Sequence, residues 1–309
     1  MTMAIVELSK PYGYPEMLRD VHQLGRRYPF LNISTFGASV MGRTLPVIRI
    51  GSGKRKLFVN AAIHANEWIT APLVMRVAEQ LSHAFGSGLP FHGVELGELF
   101  REAELWVAPM INPDGVELVL RGTDACPEQA DTLLAWNGGS ADFSGWKANI
   151  RGVDLNDQFP AYWEEERKRR SPDGPGPRDY TGPFPLSEPE AAAVAALTER
   201  EDFGMALAFH TQGREIYWNY RGYEPEQSED LAQAMGAASG YRPVKLGDSD
   251  AGYKDWFIQR FRRPGFTIEA GLGVNPLPLA QLPSMIAEAE GMILSALLAS
   301  CSGNCYTKG

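Results

Sequence analysis

The sequence predicts an α/β fold in a single domain. Short apolar runs rich in β-branched residues alternate with segments of helical periodicity, and this alternation is typical of α/β proteins. The 309 residues are 44% hydrophobic, which is enough apolar material for a large core. Because no long Ser/Gly-rich or Pro-rich linker divides the chain, we expect one domain over residues 1–309, with residues 1–30 as a helical lead-in.

The individual elements follow from apolar periodicity. Helices are predicted over residues 14–28, 67–85 and 279–299. Strands are predicted over residues 44–50, 57–63, 104–111, 204–209 and 265–268. The link 51–54 (GSGK) predicts that the first two strands form a hairpin, and the capping-box pattern at 187–190 predicts the start of an Ala-rich helix. The charged segment 164–170 (EEERKRR) is predicted to be a solvated helix with spaced ion pairs rather than a binding site.

Charge and cysteine content narrow the class of protein. The formal net charge of -9 and the pI of about 5.2 argue against a general nucleic-acid binder. The N-terminus lacks the pattern of a signal peptide and no run of eighteen apolar residues is present, so we expect no membrane partner and a cytoplasmic location. Cys126, Cys301 and Cys305 are too few for a disulfide framework, which fits a reducing compartment. Cys301 and Cys305 could share a metal or a disulfide, but an ordinary tail explains them as well.

Polar side chains follow four of the apolar runs. His64, Asn112, His210 and Glu269 each come directly after a predicted strand, and sites in α/β sheets form at the carboxyl ends of strands. In His64-Ala65-Asn66-Glu67 an imidazole and a carboxylate can face one metal across a tight turn. Together with His210 they make a two-His, one-Glu set that suits catalytic zinc and leaves a position open for water. An isolated H-x-x-E would more often be a surface turn.

The similarity extends well beyond this one motif. The segments HANEWIT (64–70), NPDG (112–115), GVDLN (152–156), FHTQG (209–213) and FTIE (266–269) resemble, in the same order, those of the M14 zinc metallocarboxypeptidases. The resemblance implies a central mixed β-sheet flanked by helices. It also implies one Zn2+ per chain, held by His64, Glu67 and His210, and a peptide substrate.

Two residues are predicted to carry the catalytic chemistry. Glu269 ends a predicted strand, and a carboxylate beside the metal can take a proton from water whose pKa zinc lowers from about 15.7 to roughly 7. The alternative for Glu269 is a buried ion-pair acid. Lys147 falls where many family members have an Arg that polarises the scissile carbonyl. A lysine keeps the charge but loses the planar fork.

The substrate-binding residues depart from the family pattern. The family has Asn-Arg after GVDL, and that Arg binds a free C-terminal carboxylate, whereas this chain has Asn156-Asp157. Lys254 falls at the position that lines the specificity pocket, although it could equally be a solvated lysine on a helix face. We therefore predict that Asn112, Asn156, Asp157 and Lys254 bind substrate. The usual active-site Tyr falls at Gly247, and either Tyr241 or Tyr253 could replace it.

These departures suggest a particular substrate. An acid at 157 and a base at 254 suit a zwitterion such as the D-centre of meso-diaminopimelate, and GVDLNDQFP is similar to the γ-D-glutamyl-meso-diaminopimelate peptidases of this family. Our hypothesis is hydrolysis of the γ-D-glutamyl–diaminopimelate amide in cell-wall muropeptides by metal-activated water. The alternatives are a carboxypeptidase that removes acidic C-terminal residues, a binding module with a relic site, and a deacylase. The sequence leaves the oligomeric state open.

Overall fold

The computed structural model describes residues 4–170, 172 and 174–301. In this part of the chain the α-helices are α1 (Tyr14–Arg27), α2 (Thr70–Ser87), α3 (Leu96–Glu102), α4 (Pro113–Arg121), α5 (Ala130–Trp136), α6 (Trp163–Arg170), α7 (Pro189–Glu201), α8 (Ser228–Ser239), α9 (Tyr253–Phe261) and α10 (Leu282–Cys301). The strands are β1 (Asn32–Ala38), β2 (Thr44–Gly51), β3 (Arg55–Ala61), β4 (Ala103–Ala108), β5 (Met205–His210), β6 (Glu215–Tyr217), β7 (Arg242–Val244) and β8 (Gly265–Glu269).

The described strands form one mixed sheet in the order β1-β2-β4-β3-β5-β8-β6-β7. The centre is parallel, with β4, β3, β5 and β8 running the same way, and antiparallel pairs lie on both sides of it. The central strands are buried along nearly their whole length, as expected where helices cover both faces of a parallel sheet. The predicted α/β fold with a mixed sheet flanked by helices is therefore confirmed.

The first two predicted strands, 44–50 and 57–63, correspond to β2 and β3, and the prediction that they form a hairpin is wrong. β2 pairs antiparallel with β4, and β3 pairs parallel with β4, so β4 lies between them. The link between β2 and β3 crosses the start of β4, where Gly53 donates its backbone N–H to the carbonyl of Ala103 at 3.2 Å. A Cβ on Gly53 would lie 1.9 Å from the backbone carbon of Glu102, so only glycine permits this close crossing.

Three strands were missed by the prediction, and one helix starts at a different residue from the one predicted. The strands β1, β6 and β7 were not predicted, and the last two have only three residues each. The residue preceding α7 is Glu188 rather than Ser187, because Pro189 occupies the first helical position and the helix begins there. The final helical pattern begins as a 3-10 turn over Leu279–Gln281 and continues as α10.

The core lies on both faces of the sheet. One apolar cluster joins the sheet to α1, α2 and α10, and a second joins its other face to α7 and α9. The segment Leu279–Ser300 is long and apolar enough to cross a membrane by length and composition, but half of it is buried and it packs against α2 and α8. Core helices commonly meet this criterion. Cys126 is a buried free thiol, whereas Cys305 lies outside the described residues.

Candidate metal and active site

Three neighbouring strands deliver the central residues of the candidate site to one edge of the sheet. His64 follows β3, His210 is the last residue of β5, and Glu269 is the last residue of β8. Because β3, β5 and β8 are adjacent and parallel, their carboxyl ends meet at the same edge. Glu67 joins them from a 3-10 turn, Ala65–Glu67, which begins directly after His64.

Two imidazoles and one carboxylate converge at this edge. Glu67 Oε1 lies 2.9 Å from His64 Nδ1, and Glu67 Oε2 lies 3.0 Å from His210 Nδ1. The two Nδ1 atoms are 3.2 Å apart. All three side chains are buried. The sequence therefore predicted correctly that residues 146 positions apart, His64 and His210, meet at one point.

The site is strongly polarised. Burial favours the neutral form of Glu67, but the adjacent His64 and His210 outweigh it and hold the pKa of this carboxyl below its usual range. Burial also opposes protonation of His64, yet the charge of Glu67 raises the pKa of this imidazole to about 9. Burial lowers the pKa of His210. A buried anion therefore faces two imidazoles that differ in their affinity for a proton.

The donor set fits a metal ion. Each of His64, Glu67 and His210 offers a ligand atom, and these atoms all lie within 4.8 Å of one another. Two ring nitrogens only 3.2 Å apart cannot both face each other as bare lone pairs, so either a proton on one of them or a metal cation has to lie between them. Two imidazoles and a carboxylate are ligands that zinc and its neighbours in the transition series accept.

Asp154 orients one of the imidazoles, a role that we did not predict. Its Oδ1 lies 3.1 Å from His64 Nε2, on the side of the ring away from Glu67. A carboxylate behind a metal-binding histidine fixes the ring and makes its other nitrogen a better ligand. Asp154 also accepts the backbone N–H of Asn156 at 3.2 Å. The quoted GVDLN motif contains this Asp, so its position in the motif was the available signal.

Glu269 lies beside the ligand cluster, where a general base would be needed. It is the register partner of His210 across β5 and β8. Burial, reinforced by the charge of Glu67, raises the pKa of Glu269 to about 8. This carboxyl can therefore take up and release a proton near neutral pH. Its predicted catalytic role remains a prediction.

Lys147 lies at the mouth of the same cluster. Its Nζ is 3.8 Å from Glu67 Oε1, and about one fifth of the side chain is exposed to solvent. Its backbone carbonyl accepts the N–H of Ala65 at 2.9 Å, which ties the Lys147 segment to the turn that carries Glu67. A cation here can stabilise negative charge that develops beside the metal ligands. The position agrees with the role that we predicted.

Asn112 holds backbone segments next to the site in place rather than facing a substrate. Its side-chain amide donates to the carbonyls of Ile63 and Ala148, at 3.1 and 3.0 Å, and its Oδ1 accepts the N–H of Gly115. It caps α4 and is fully buried. Because both of its polar atoms are engaged, these contacts give Asn112 a positioning role. They do not favour the predicted substrate contact.

Asp157 is engaged by a residue that we predicted to be solvated. Arg170, at the end of α6, places its Nε 3.2 Å from Asp157 Oδ2 and its Nη2 3.4 Å from Oδ1. Burial raises the pKa of Asp157, and the charge of Asp154 adds to this effect. The prediction of a helix with spaced ion pairs at 164–170 is confirmed by the pairs of Glu166 with Arg169 and Arg170. The helix is not solvated on its inner face, where Glu166 is buried. Asn156, half-buried, accepts the backbone N–H of Tyr253 at 3.3 Å.

Lys254 is buried and already paired. Its Nζ lies 2.7 Å from the carbonyl oxygen of Asn219 and 2.6 Å from Asp255 Oδ1. Only about 5% of its side chain is exposed, so the interpretation as a solvated lysine is wrong. An ammonium with these partners neutralises a buried acid of its own chain. The contacts therefore do not favour Lys254 as a receptor for a substrate carboxylate.

Neither candidate tyrosine faces the cluster. Tyr253 is buried against Phe58 and Phe159, and its hydroxyl lies 3.1 Å from Thr198 Oγ1. The hydroxyl of Tyr241 donates to Glu288 at 2.9 Å. A third phenol is Tyr217 on β6, whose pKa is raised by burial, by a hydrogen bond to Glu215 and by the nearby charge of Glu269. We did not single out Tyr217, since β6 was not predicted.

Sequence and structural similarities agree with this geometry. The family model described as zinc carboxypeptidase matches residues 17–272. A protein of Lysinibacillus sphaericus named gamma-D-glutamyl-L-diamino acid endopeptidase 1 is 46% identical over 297 residues, covering 96% of this chain and 75% of the relative.

Two solved structures share the fold. Bovine thrombin-activatable fibrinolysis inhibitor, in complex with a tick carboxypeptidase inhibitor, superposes with a TM-score of 0.76 at 17% identity, over 95% of this chain and 98% of the other. Carboxypeptidase A from Helicoverpa armigera gives a TM-score of 0.70 at 17% identity, over 96% and 75% of the two chains. At this identity the likeness concerns the fold alone.

Proposed function

Because the chain belongs to the zinc carboxypeptidase family, we propose that it hydrolyses the γ-D-glutamyl–meso-diaminopimelate amide bond of bacterial cell-wall muropeptides. We assign one Zn2+ per chain to His64, Glu67 and His210. The observation that carries the proposal is the convergence of these three side chains, with ligand atoms within 4.8 Å of one another, beside the partly buried Glu269. This arrangement combines a cation site with a titratable carboxyl.

The residues of this chain divide the work among them. Zinc, when bound, supplies a Lewis acid that polarises the scissile carbonyl and makes water more acidic. Glu269 accepts the proton of the attacking water and passes it to the leaving nitrogen. Lys147, 3.8 Å from Glu67, supplies a positive charge at the edge where the carbonyl oxygen becomes negative. Asp154 keeps the ring of His64 in the orientation that its role as a ligand requires.

Two observations support the substrate. Asp157 stands where the family has an arginine for a free C-terminal carboxylate, and an acid there disfavours a simple exopeptidase. The Lysinibacillus relative is named as acting after γ-D-glutamate and before a diamino acid. An enzyme that removes acidic C-terminal residues would need a free cation in the specificity pocket. Lys254 does not meet this need, because its ammonium already contacts Asp255 and Asn219.

We also propose a cytoplasmic location and a peptide or muropeptide substrate, with no nucleic-acid or membrane partner. A buried free thiol, Cys126, is compatible with a reducing compartment. The pI of about 5.2 does not favour a nucleic-acid partner. The apolar helix of membrane-spanning length found among the described residues, Leu279–Ser300, is half-buried in the protein.

The test is incubation of the zinc-loaded protein with the stem tripeptide L-Ala-γ-D-Glu-meso-diaminopimelate and the matching tetrapeptide, with products identified by mass. We expect L-Ala-D-Glu as a common product of both, and little turnover of blocked dipeptides that end in Glu or Asp. The variant Glu269→Gln is the inactive reference. Release of only the fourth residue from the tetrapeptide, or a preference for the acidic dipeptides, would overturn the proposal in favour of a conventional carboxypeptidase.

A further inference from the structure

We propose that Arg170 recognises the free carboxylate at the D-centre of diaminopimelate, and that Asp157 receives the ammonium of the same centre. This inference rests on the proposed function and names the residues that select its substrate. It replaces Lys254 as the base of the pair, since that ammonium is buried and engaged elsewhere.

The first support is position. Asp154, whose Oδ1 lies 3.1 Å from the metal-site residue His64, begins the 3-10 turn that ends at Asp157. Carboxylate oxygens of Asp154, Asp157 and Asp179 lie within 4.8 Å of one another. The guanidinium of Arg170 contacts both oxygens of Asp157, at 3.2 and 3.4 Å. Arg170 is therefore linked to the metal-site residue His64 through a chain of contacts that runs over Asp157 and Asp154.

The second support is unused hydrogen-bonding capacity. A guanidinium has five N–H donors: one on Nε and two on each Nη. Among the described residues, Nη1 contacts Asp179 at 3.1 Å, Nη2 contacts Asp157, and Nε contacts Glu166 at 2.7 Å as well as Asp157. One hydrogen on each Nη has no partner among the described residues, and a guanidinium can bind a carboxylate through a fork of one hydrogen from each Nη. The side chain of Arg170 is 37% exposed, so solvent and substrate can reach it.

The third support is charge. The carboxylates of Asp157, Glu166 and Asp179 all contact the guanidinium of Arg170. Glu166 also pairs with Arg169 and Asp179 with Arg178, whereas Asp157 pairs with Arg170 alone among the described residues. Asp157 Oδ2 is buried and accepts no hydrogen bond from the described residues, although it lies in ion-pair range of Arg170. A lone substrate carboxylate that bound Arg170 would compete with Asp157 for the same guanidinium. A zwitterion brings an ammonium for the acids together with a carboxylate for the fork, so the local net charge does not change.

The inference predicts discrimination between diamino acids. Meso-diaminopimelate carries an ammonium and a carboxylate at its D-centre, whereas lysine carries the ammonium alone. Amidation of the D-centre carboxyl removes the same negative charge without changing the size of the side chain appreciably. A comparison of diaminopimelate, its D-centre carboxamide and lysine therefore isolates the contribution of the carboxylate that Arg170 would bind.

The experiment measures kcat and KM on L-Ala-γ-D-Glu-X, where X is meso-diaminopimelate, its D-centre carboxamide or L-lysine. We expect wild type to prefer the free acid by ~10- to 100-fold in kcat/KM, because a hydrogen bond to a charged group contributes about 1.5–3 kcal/mol. Arg170→Gln should bring this preference close to unity, mainly through KM, and Arg170→Lys should restore part of it. Arg167→Gln is the matched control. Arg167 lies on the same helix, over the ring of Trp163, and is predicted to leave the preference unchanged.

The outcomes separate this inference from the proposed function. If wild type cleaves none of the three peptides, the proposed function is wrong. If wild type cleaves the free acid but Arg170→Gln keeps the full preference, the role of Arg170 is wrong. Should Arg170→Gln fail to fold, the wild-type comparison still decides the question, because equal cleavage of the acid and its carboxamide would exclude recognition of the carboxylate.

Discussion

His210 and Glu269 are the last residues of two neighbouring parallel strands and lie opposite each other in register. A metal-site imidazole and the candidate base are therefore positioned by the same hydrogen-bonded ladder, rather than by flexible loops. The backbone N–H following Glu269 continues this ladder by donating to the carbonyl of His210 at 2.8 Å. Rigid placement of this kind is what general-base catalysis beside a metal requires.

Replacing Glu269 by Gln should remove the base and leave the metal site intact. We expect kcat on the cleaved stem peptide to fall by ~10²- to 10⁴-fold, the range that general acid–base catalysis contributes. Metal content, measured by atomic emission, should stay near one zinc per chain. The exposed acid Glu98 provides a control as Glu98→Gln, which should leave kcat unaffected. A Glu269→Gln protein with wild-type kcat would show that another group takes the proton.

Metal removal should lower stability as well as activity. Without a cation, the buried carboxylate of Glu67 holds two imidazoles 3.2 Å apart by their Nδ1 atoms. A metal that binds only the folded state at 100 times its Kd adds about 2.7 kcal/mol to the free energy of unfolding. After the metal has been removed with a chelator, we expect added zinc to raise the Tm of wild type. The control variant His83→Ala, at an exposed position, should show the same rise. His210→Ala should lose this rise, and an equal rise in that variant would place the metal elsewhere.

Asp154→Asn tests whether this acid tunes its neighbour. The amide keeps one oxygen for the backbone N–H of Asn156 but removes the negative charge behind His64. Loss of such a partner typically costs ~10- to 100-fold in metal affinity or activity. Competition with a coloured chelator measures the zinc affinity, and thermal unfolding of the metal-free forms shows whether the fold is unchanged. A zinc affinity equal to that of wild type would mean that Asp154 caps the loop but does not influence His64 as a ligand.

Glu190 should make stability depend on pH. This residue is buried, and its burial raises the pKa of its carboxyl from 4.5 to about 7. The charges of Asp114 and Glu188 contribute to the same rise. The stability that its protonated form contributes is fully present below pH 4.5 and is lost as the pH rises through 7. The shift corresponds to at most about 3 kcal/mol.

The matching variant is Glu190→Gln, which cannot ionise. Its free energy of unfolding relative to wild type should improve between pH 4.5 and pH 8, by no more than about 3 kcal/mol. Urea titrations at several pH values, both proteins fully metal-loaded, measure this difference. A difference that is constant over that range would mean that Glu190 does not titrate in the folded protein.

The strands that carry the site were predictable because of where they lie. β3, β5 and β8 are buried in the centre of the sheet, so they appear as continuous apolar runs that end in a polar residue. β6 and β7 have three residues each and no such signal. Strand order was not predictable, because a short Gly-rich link joins two apolar runs in the same way whether or not a distant strand lies between them.

The contacts of the residues that we considered for substrate binding also could not be predicted from the sequence. The acids and bases of α6 have the spacing of solvated i, i+4 pairs, and only the packed helix shows that Arg170 faces the buried Asp157. Likewise, helical position alone does not tell whether Lys254 reaches solvent or Asp255. In both cases the partner lies on an element whose orientation depends on the whole fold.

The insertion of β4 between β2 and β3 has a consequence for synthesis of the chain. β3 cannot complete its pairing until residue 108, and then residue 210, have left the ribosome. At about 5–20 residues per second, one edge of this apolar strand stays open for roughly seven to thirty seconds. During that interval, the hairpin that the local sequence favours is a competing pairing that the nascent protein has to give up, and we expect chaperones to engage it there.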